Sequence, residues 1–207
     1  MSLTTYDDLN EMQMDVLREI GNIGSGNAAT SLSAMLCKPV SIDVPVIKIL
    51  DHQTASHMLG GPENVVVGLL LSLTGEVTGM MMFLLERDFA HLILNTLLGQ
   101  DLHSFSDVDD MGISALMEIS NIMAASYVNS IAQLTGMMID ISVPDICIDM
   151  VGAMLSVPMI HYANVSDKVI FIEDKFRSED KNAVSHILLM PEVESLTAIM
   201  NKLGLSI

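Results

Sequence analysis

Basic residues and cysteines are scarce in this 207-residue chain. Nine Lys and Arg stand against 26 Asp and Glu, a formal net charge of −17. Such a surface repels phosphate backbones and anionic lipid, which argues against nucleic-acid binding and against attachment to a membrane. Two cysteines, Cys37 and Cys147, make neither a disulfide framework nor a zinc site. They fit a reducing, cytoplasmic setting. No basic-then-apolar leader opens the chain, so no secretion signal is expected. Familiar catalytic signatures are missing as well: there is no defensible Ser-His-Asp order, no HExxH and no CxxC. "GNIGSG" at 21–26 is like a phosphate loop only loosely. It lacks a preceding strand and a following Lys-Ser/Thr, so a nucleotide site is not expected.

What the chain has in quantity is apolar residues. They make up 50% of it, and mean hydropathy is +0.48. The length suits one large domain, or one duplicated domain, with a substantial core. Residues 65–85, "VVVGLLLSLTGEVTGMMMFLL", approach the length of a membrane-spanning helix. Two glycines and Glu76 interrupt them near the middle. Two apolar runs of strand length around a turn predict a buried β-hairpin instead.

"EIGNIGSGNAATSLSAML", 19–36, has helical apolar spacing yet holds three glycines and two asparagines. Glycine inside a helix costs roughly 1 kcal/mol against alanine, so such a helix needs a reason for them. Part of the reason is a repeat. "DVLREIGNI" at 15–23 returns as "SALMEISNI" at 114–122, an offset of 99 residues (121 minus 22). Glu19 then matches Glu118 and Asn22 matches Asn121. The same offset pairs Pro45 in "SIDVPVI" with Pro144 in "DISVPDI".

The two halves, about 8–99 and 107–205, follow a similar order. In the first, a long helix leads to a β-like segment near 40–50, the hairpin, and a short amphipathic helix at 86–99. In the second, 138–150 and 151–162 look β-like, "KVIFIED" and "SHILLMP" supply a strand pair, and 192–204 supplies the closing helix. Both closing helices end in Leu-Gly, with glycine as the terminating residue. The polar, turn-rich "GQDLHSFSDVDD", 99–110, joins the halves. The expected fold is a single internally duplicated α+β domain, 1–207, with pseudo-two-fold symmetry. Its β-sheet is backed by two long helices plus shorter ones.

On a helical wheel with Asp15 at the origin, Glu19 lies at about 40°, Asn22 at about −20° and Gly26 at about 20°. Val16, Leu17, Ile20 and Ile23 fall between about 80° and 200°, so the Asp15–Glu19–Asn22 stripe should face solvent. Ser114, Glu118 and Asn121 form the same stripe in the second copy, with Ala125 in place of Gly26. Leu116, Ile119 and Ile122 take the core side. Met123 replaces Gly24 but points away from the stripe. Gly26 leaves room for another molecule, while Gly21 and Gly24 allow neighbouring elements to pack closely.

Asp or Ser, three residues, Glu, two residues, Asn, then Pro after twenty-two more resembles the signature of the CheC/CheX/FliY phosphatases. Asp15, Glu19, Asn22 and Pro45 meet it once, and Ser114, Glu118, Asn121 and Pro144 meet it again. Two motifs, starting almost at the first helix and ending with the second repeat, resemble the CheC branch over nearly the whole chain. The resemblance implies an aspartyl-phosphate phosphatase acting on the phosphorylated chemotaxis regulator CheY, and binding to the receptor deamidase CheD. The regulator would bring the acyl phosphate, a Lys and a divalent metal such as Mg, so this chain needs no cofactor of its own. Hydrolysis of this kind is mostly positioning. Asn22 and Asn121 are the candidates for orienting the attacking water, since an amide both donates and accepts. Glu19 and Glu118 would pair with the regulator's Lys. Asp15 and Ser114 would support the helix face, and Pro45 and Pro144 would shape the nearby strand entry.

Other residues invite plainer readings. His52, His57, His91, His103, His161 and His186 are scattered, and metal binding is not expected. Cys37 and Cys147 are expected in or near the core, and the 18 methionines as core filler. Two alternatives stand: a non-enzymatic adaptor that binds CheY or CheD through the same helix, and a structural part of the flagellar switch. The second is disfavoured because no additional switch-binding segment is visible.

Overall fold

The computed structural model describes residues 4–162, 168–178 and 181–205. After a short turn of helix at Tyr6–Asp8 comes α1, Glu11–Leu36. Its start is written in a capping box: the Asn10 side chain accepts from the Gln13 backbone at 3.0 Å, and the Gln13 side chain accepts from the Asn10 backbone at 2.9 Å. The first half continues with β1 (Ser41–Ile42), β2 (Val46–Asp51), α2 (His52–Met58), β3 (Val65–Gly75), β4 (Gly79–Leu85) and α3 (Arg87–Leu98). The second half runs α4 (Asp110–Thr135), β5 (Ile139–Ile141), β6 (Asp145–Met150), α5 (Val151–Tyr162), β7 (Lys168–Ser178), β8 (Lys181–Pro191) and α6 (Val193–Lys202).

All the pairings in the sheet are antiparallel. The order is β1-β7-β8-β4-β3-β5, with β2 following β1 along β7 and β6 following β5 along β3. The middle of the sheet is β4 against β8, where Met82 faces Leu188. The duplication is thus built around that pair. Each half also lends its outer strands to the other. First-half β2 lies on second-half β7, with Val46 opposite Glu173 and Asp51 opposite Lys168. Second-half β6 lies on first-half β3, with Val65 opposite Met150.

Alternation along the strands feeds two cores. Leu69, Leu71, Phe83, Ile170, Ile172 and Ile187 point to α1, α3, α4 and α6. Val66, Met82, Leu84, Val169, Phe171 and Leu188 point to α2 and α5 on the opposite face. The sheet is therefore sandwiched, with the long helices on one side and the short ones on the other. α1 and α4 lie antiparallel, as Ser130 meeting the Ile20 carbonyl and Ser126 meeting Ser31 require.

Residues 65–85 form the expected hairpin, and no described helix is long and apolar enough to cross a membrane. Its turn needs glycine. Gly79 has φ 151°, and a Cβ there would fall 2.4 Å from the Met190 carbonyl oxygen. The amphipathic segment at 86–99 is α3, closed by Gly99 at φ 68°.

Three expectations are corrected. Residues 151–162 are helix α5, not β. The segment is apolar nearly all round, which hides its period, but Val151, Met154 and Leu155 occupy one buried face. Its first-half counterpart α2, 99 residues earlier, was not expected either. There the Asp51 side chain caps the helix by accepting from the Thr54 backbone at 2.7 Å. Both cysteines are exposed rather than in the core, although Cys147 lies against it. Cys37 ends α1 at φ 50°, and Cys147 sits on an edge strand facing α5, its Sγ 3.3 Å from Sδ of the buried Met154. The methionines divide: Met81, Met82, Met123 and Met200 fill the core, whereas Met12, Met111, Met138 and Met150 are exposed.

Candidate functional site

The two halves present their motifs on α1 and α4. In α1, Leu17 and Ile20 are buried and Val16 and Ile23 half-buried, which turns Asp15, Glu19, Asn22 and Gly26 outward. In α4, Leu116, Ile119 and Met123 are buried, Ser114 and Glu118 exposed, and Asn121 and Ala125 half-buried. The glycines of α1 now have separate explanations. A Cβ at Gly21 would lie 2.1 Å from Ile47 Cδ1, and one at Gly24 would lie 2.5 Å from Tyr127 Cδ1. A Cβ at Gly26 would meet nothing within 4 Å. Two glycines let β2 and α4 approach the helix, and the third keeps the stripe open.

Within each stripe the partners differ. Asp15 accepts from Arg18 at 2.5 Å on the surface. Ser114 instead donates to its own helix, to the Asp110 carbonyl at 2.9 Å. Glu19, Asn22, Glu118 and Asn121 have no hydrogen bond or ion pair within the described residues. Their carboxylates and amides are thus available to a second molecule.

The second stripe forms one wall of an open groove of about 630 Å³. Ser114, Met117, Glu118, Asn121 and Ala125 stand on the helix side, with Ile141, Val143 and Pro144 across from them. The proline-bearing loop is held from behind in both halves. Asp43 N donates to the Lys175 carbonyl at 3.0 Å, and its counterpart Ser142 N donates to the Ser72 carbonyl at 3.0 Å. Arg177 further pairs with Asp43 at 2.6 Å. Pro144 is buried and Pro45 half-buried, and a proline side chain has no donor or acceptor to offer a ligand.

Behind the stripes lies a buried polar cluster that sequence reasoning missed. Ser25 donates to Asp174 at 2.7 Å, Tyr127 donates to the other oxygen of the same carboxylate, and Ser25 and Tyr127 meet at 2.6 Å. It joins α1, α4 and β7. Burial pushes the Asp174 carboxyl up to about 6, against the two hydroxyls that favour its charged form. Burial and the Asp174 charge raise the Tyr127 phenol well above its ordinary range. The available signal was Ser25 beside a motif glycine and Asp174 inside an apolar strand, both odd choices for a core.

The histidines stay apart. His186 is buried on β8 beneath the short-helix face, with Nε2 3.6 Å from Glu173, and burial lowers its pKa. Glu86 nearby is shifted upward, first by burial and then by Asp88 and Glu173. The His161 side chain lies outside the described residues. Among the described residues no three His, Cys, Asp or Glu side chains group as metal ligands.

This duplicated sheet, with a long helix from each half laid across it, is the architecture of chemotaxis and flagellar-switch proteins. The structure of Thermotoga maritima FliY matches with a TM-score of 0.75 at 22% identity, covering 95% of this chain and 98% of that one. The FliM middle domain of H. pylori matches at 0.67 and 14% identity, covering 94% and 99%. The model of the CheC-like family matches residues 12–49 and 111–148, one segment per motif. The CheY-P phosphatase CheC of Bacillus subtilis is 30% identical over 209 residues, 99% of this chain and 100% of that protein. The B. subtilis flagellar motor switch phosphatase FliY is 30% identical over 139 residues, 67% of this chain but 36% of that longer protein. The chain belongs to the CheC-like family.

Proposed function

We propose that this protein dephosphorylates the aspartyl phosphate of a chemotaxis response regulator of the CheY type, using both motifs. The observation that carries this is the availability of Glu19, Asn22, Glu118 and Asn121. Two equivalent acid–amide pairs face outward, one turn apart, and neither is engaged within its own chain. The relative named CheY-P phosphatase CheC, aligned over its full length, supports the choice of substrate.

In the proposed reaction the regulator docks against the helix stripe. Its Lys pairs with Glu19 or Glu118, which fixes register. The amide of Asn22 or Asn121 holds a water in line with the phosphorus, accepting from it and donating to it. The water attacks, the bond from phosphorus to the Asp carboxyl oxygen breaks, and phosphate leaves with the carboxylate restored. The metal that neutralises the phosphoryl oxygens sits on the regulator. The gain supplied by this chain is orientation, worth several kcal/mol when reacting groups are well placed. Asp15 and Ser114 support the helix face. CheD is a further partner in this reading.

The test is phosphate release from phosphorylated CheY with wild type, Asn22→Ala, Asn121→Ala and the double variant, each with and without CheD. Loss confined to the double variant is the expected result and means two working sites. No acceleration by wild type, even with CheD, overturns the enzymatic reading in favour of an adaptor.

A further inference from the structure

Four of the ten large apolar side chains exposed among the described residues recur in pairs at one offset. Met12 is 63% exposed and Met111, 99 positions later, is 64% exposed. Val44 is 79% exposed and Val143, again 99 positions later, is 77% exposed. Single exposed apolar side chains are ordinary on any protein surface. Two of them repeated at the motif's own offset, in both halves, form a pattern attached to the motif.

Their positions are equivalent relative to the site. Met12 precedes Asp15 by one turn, at about 60° on the wheel that places Glu19 at about 40°, so it extends the stripe towards the helix start. Met111 extends the second stripe in the same way. Val143 stands across the groove from Glu118 and Asn121, immediately before Pro144. Val44 holds the same place before Pro45. The valines are presented rather than left loose, because Asp43 N and Ser142 N are each tied to a neighbouring strand. The two valines are β-branched, so each offers a side chain with little rotamer freedom left to lose.

We infer that Met12 with Val44, and Met111 with Val143, are docking residues that grip the phosphorylated regulator on either side of its Lys. The inference rests on the proposed phosphatase reading and adds to it a second recognition element, distinct from the acid–amide pair. One carboxylate in water gives little affinity, since exposed ion pairs are weak. Apolar contacts beyond that pair add buried area and exclude water from the interface around it, as the surroundings of a binding hot spot do. The occupant is accordingly a protein surface with a cation set between two apolar side chains. It is not a small phosphorylated metabolite, because Met111 lies seven residues, about 10 Å, along the helix from Glu118 and outside the groove such a ligand would fill.

The test compares wild type with a variant carrying Met12→Ser, Val44→Ser, Met111→Ser and Val143→Ser. Phosphate release from phosphorylated CheY is followed over substrate concentration. The expected result is a KM raised by about tenfold or more with kcat within about twofold, the signature of lost ground-state docking. A second variant with Leu at both Met positions and Ile at both Val positions should restore KM. All four side chains are exposed, so thermal midpoints should stay at the wild-type value. A KM unchanged in the Ser variant, or a Leu/Ile variant as impaired as the Ser variant, overturns the inference. Should wild type release no phosphate, the phosphatase reading fails by itself, and binding to CheY carrying beryllium trifluoride at its Asp decides the docking residues. Weaker binding of the Ser variant supports them; equal binding, or none by wild type, overturns them.

Discussion

The backbone of Gly24 lies against the ring of Tyr127, so closely that a Cβ on it would approach Cδ1 to 2.5 Å. This is one of the contacts at which the two motif helices touch. Gly24→Ala should force a shift of Tyr127, which is also held by Ser25 and Asp174. Overpacking of this kind costs about 1–3 kcal/mol. Thermal unfolding is expected to fall by several degrees, and activity should fall with it if the helix faces turn.

Gly26 predicts the opposite behaviour. Space is open around it, so Gly26→Leu should fold at least as well as wild type, helped by about 1 kcal/mol of helix propensity. The new side chain lies on the stripe one turn beyond Asn22. Turnover at the first site should drop severely in an Asn121→Ala background, with an unchanged or raised thermal midpoint. A fully active Gly26→Leu protein in that background would remove Asn22 from the reacting face.

The glutamates should separate binding from turnover. Glu19→Ala combined with Glu118→Ala leaves both amides in place but removes the partner for the regulator's Lys. KM is expected to rise more than kcat falls, whereas the two Asn→Ala changes together should depress kcat. Steady-state phosphate release at several CheY-P concentrations checks both.

Asp174 makes stability depend on pH. Its carboxyl titrates at about 6 in the fold against an ordinary 3.8, so between those values the folded chain binds more proton than the unfolded one. Stability contributed by this group is therefore greatest below the lower value and declines as pH rises towards the upper one. The shift corresponds to about 3 kcal/mol. His186 acts in the other direction: its lowered pKa means stability is lost as pH falls below its ordinary 6.5. Denaturant unfolding from pH 4 to 7 should show Asp174→Asn gaining on wild type as pH rises, and His186→Gln gaining as pH falls.

The two thiols offer a check that needs no partner. Both are exposed, so both should react with a thiol reagent in the native state. Burial beside Met154 and the charge of Asp149 raise the Cys147 pKa, which lowers its thiolate fraction. Cys147 should react several-fold slower than an unstructured cysteine at pH 7.5, and unfolding should remove that difference.

Much of the molecule was legible because the chain says it twice. A single Glu-x-x-Asn on a helix means little, but Glu19–Asn22 and Glu118–Asn121 with Pro45 and Pro144 at one spacing gave the outward stripe, the repeat and the family. The hairpin was legible because "LTGEVTG" cuts an apolar run at a point where only glycine fits. Helix α5 was not, because a helix apolar on nearly every side shows no 3.6-residue period. Cys37 was misplaced because residue type predicts burial only on average, and a helix end overrides it. The Ser25–Tyr127–Asp174 cluster joins residues 102 and 149 positions apart, a kind of relationship that no local pattern records.

The exchange of outer strands between the halves bears on how the chain comes into being. During synthesis β2 emerges early, yet Ile47 has no sheet partner until Ile172 is made. Pairing of β3 with β6 likewise waits for residues 145–150. The β3–β4 hairpin needs only first-half residues, whereas the edge strands wait for the second half, and non-local pairings of this sort close slowly. A chain cut between the repeats would leave β2 without β7 and β3 without β6. A single repeat standing alone could meet the same need only by pairing with a copy of itself, and one chain that carries both repeats makes that concentration-dependent encounter an internal one.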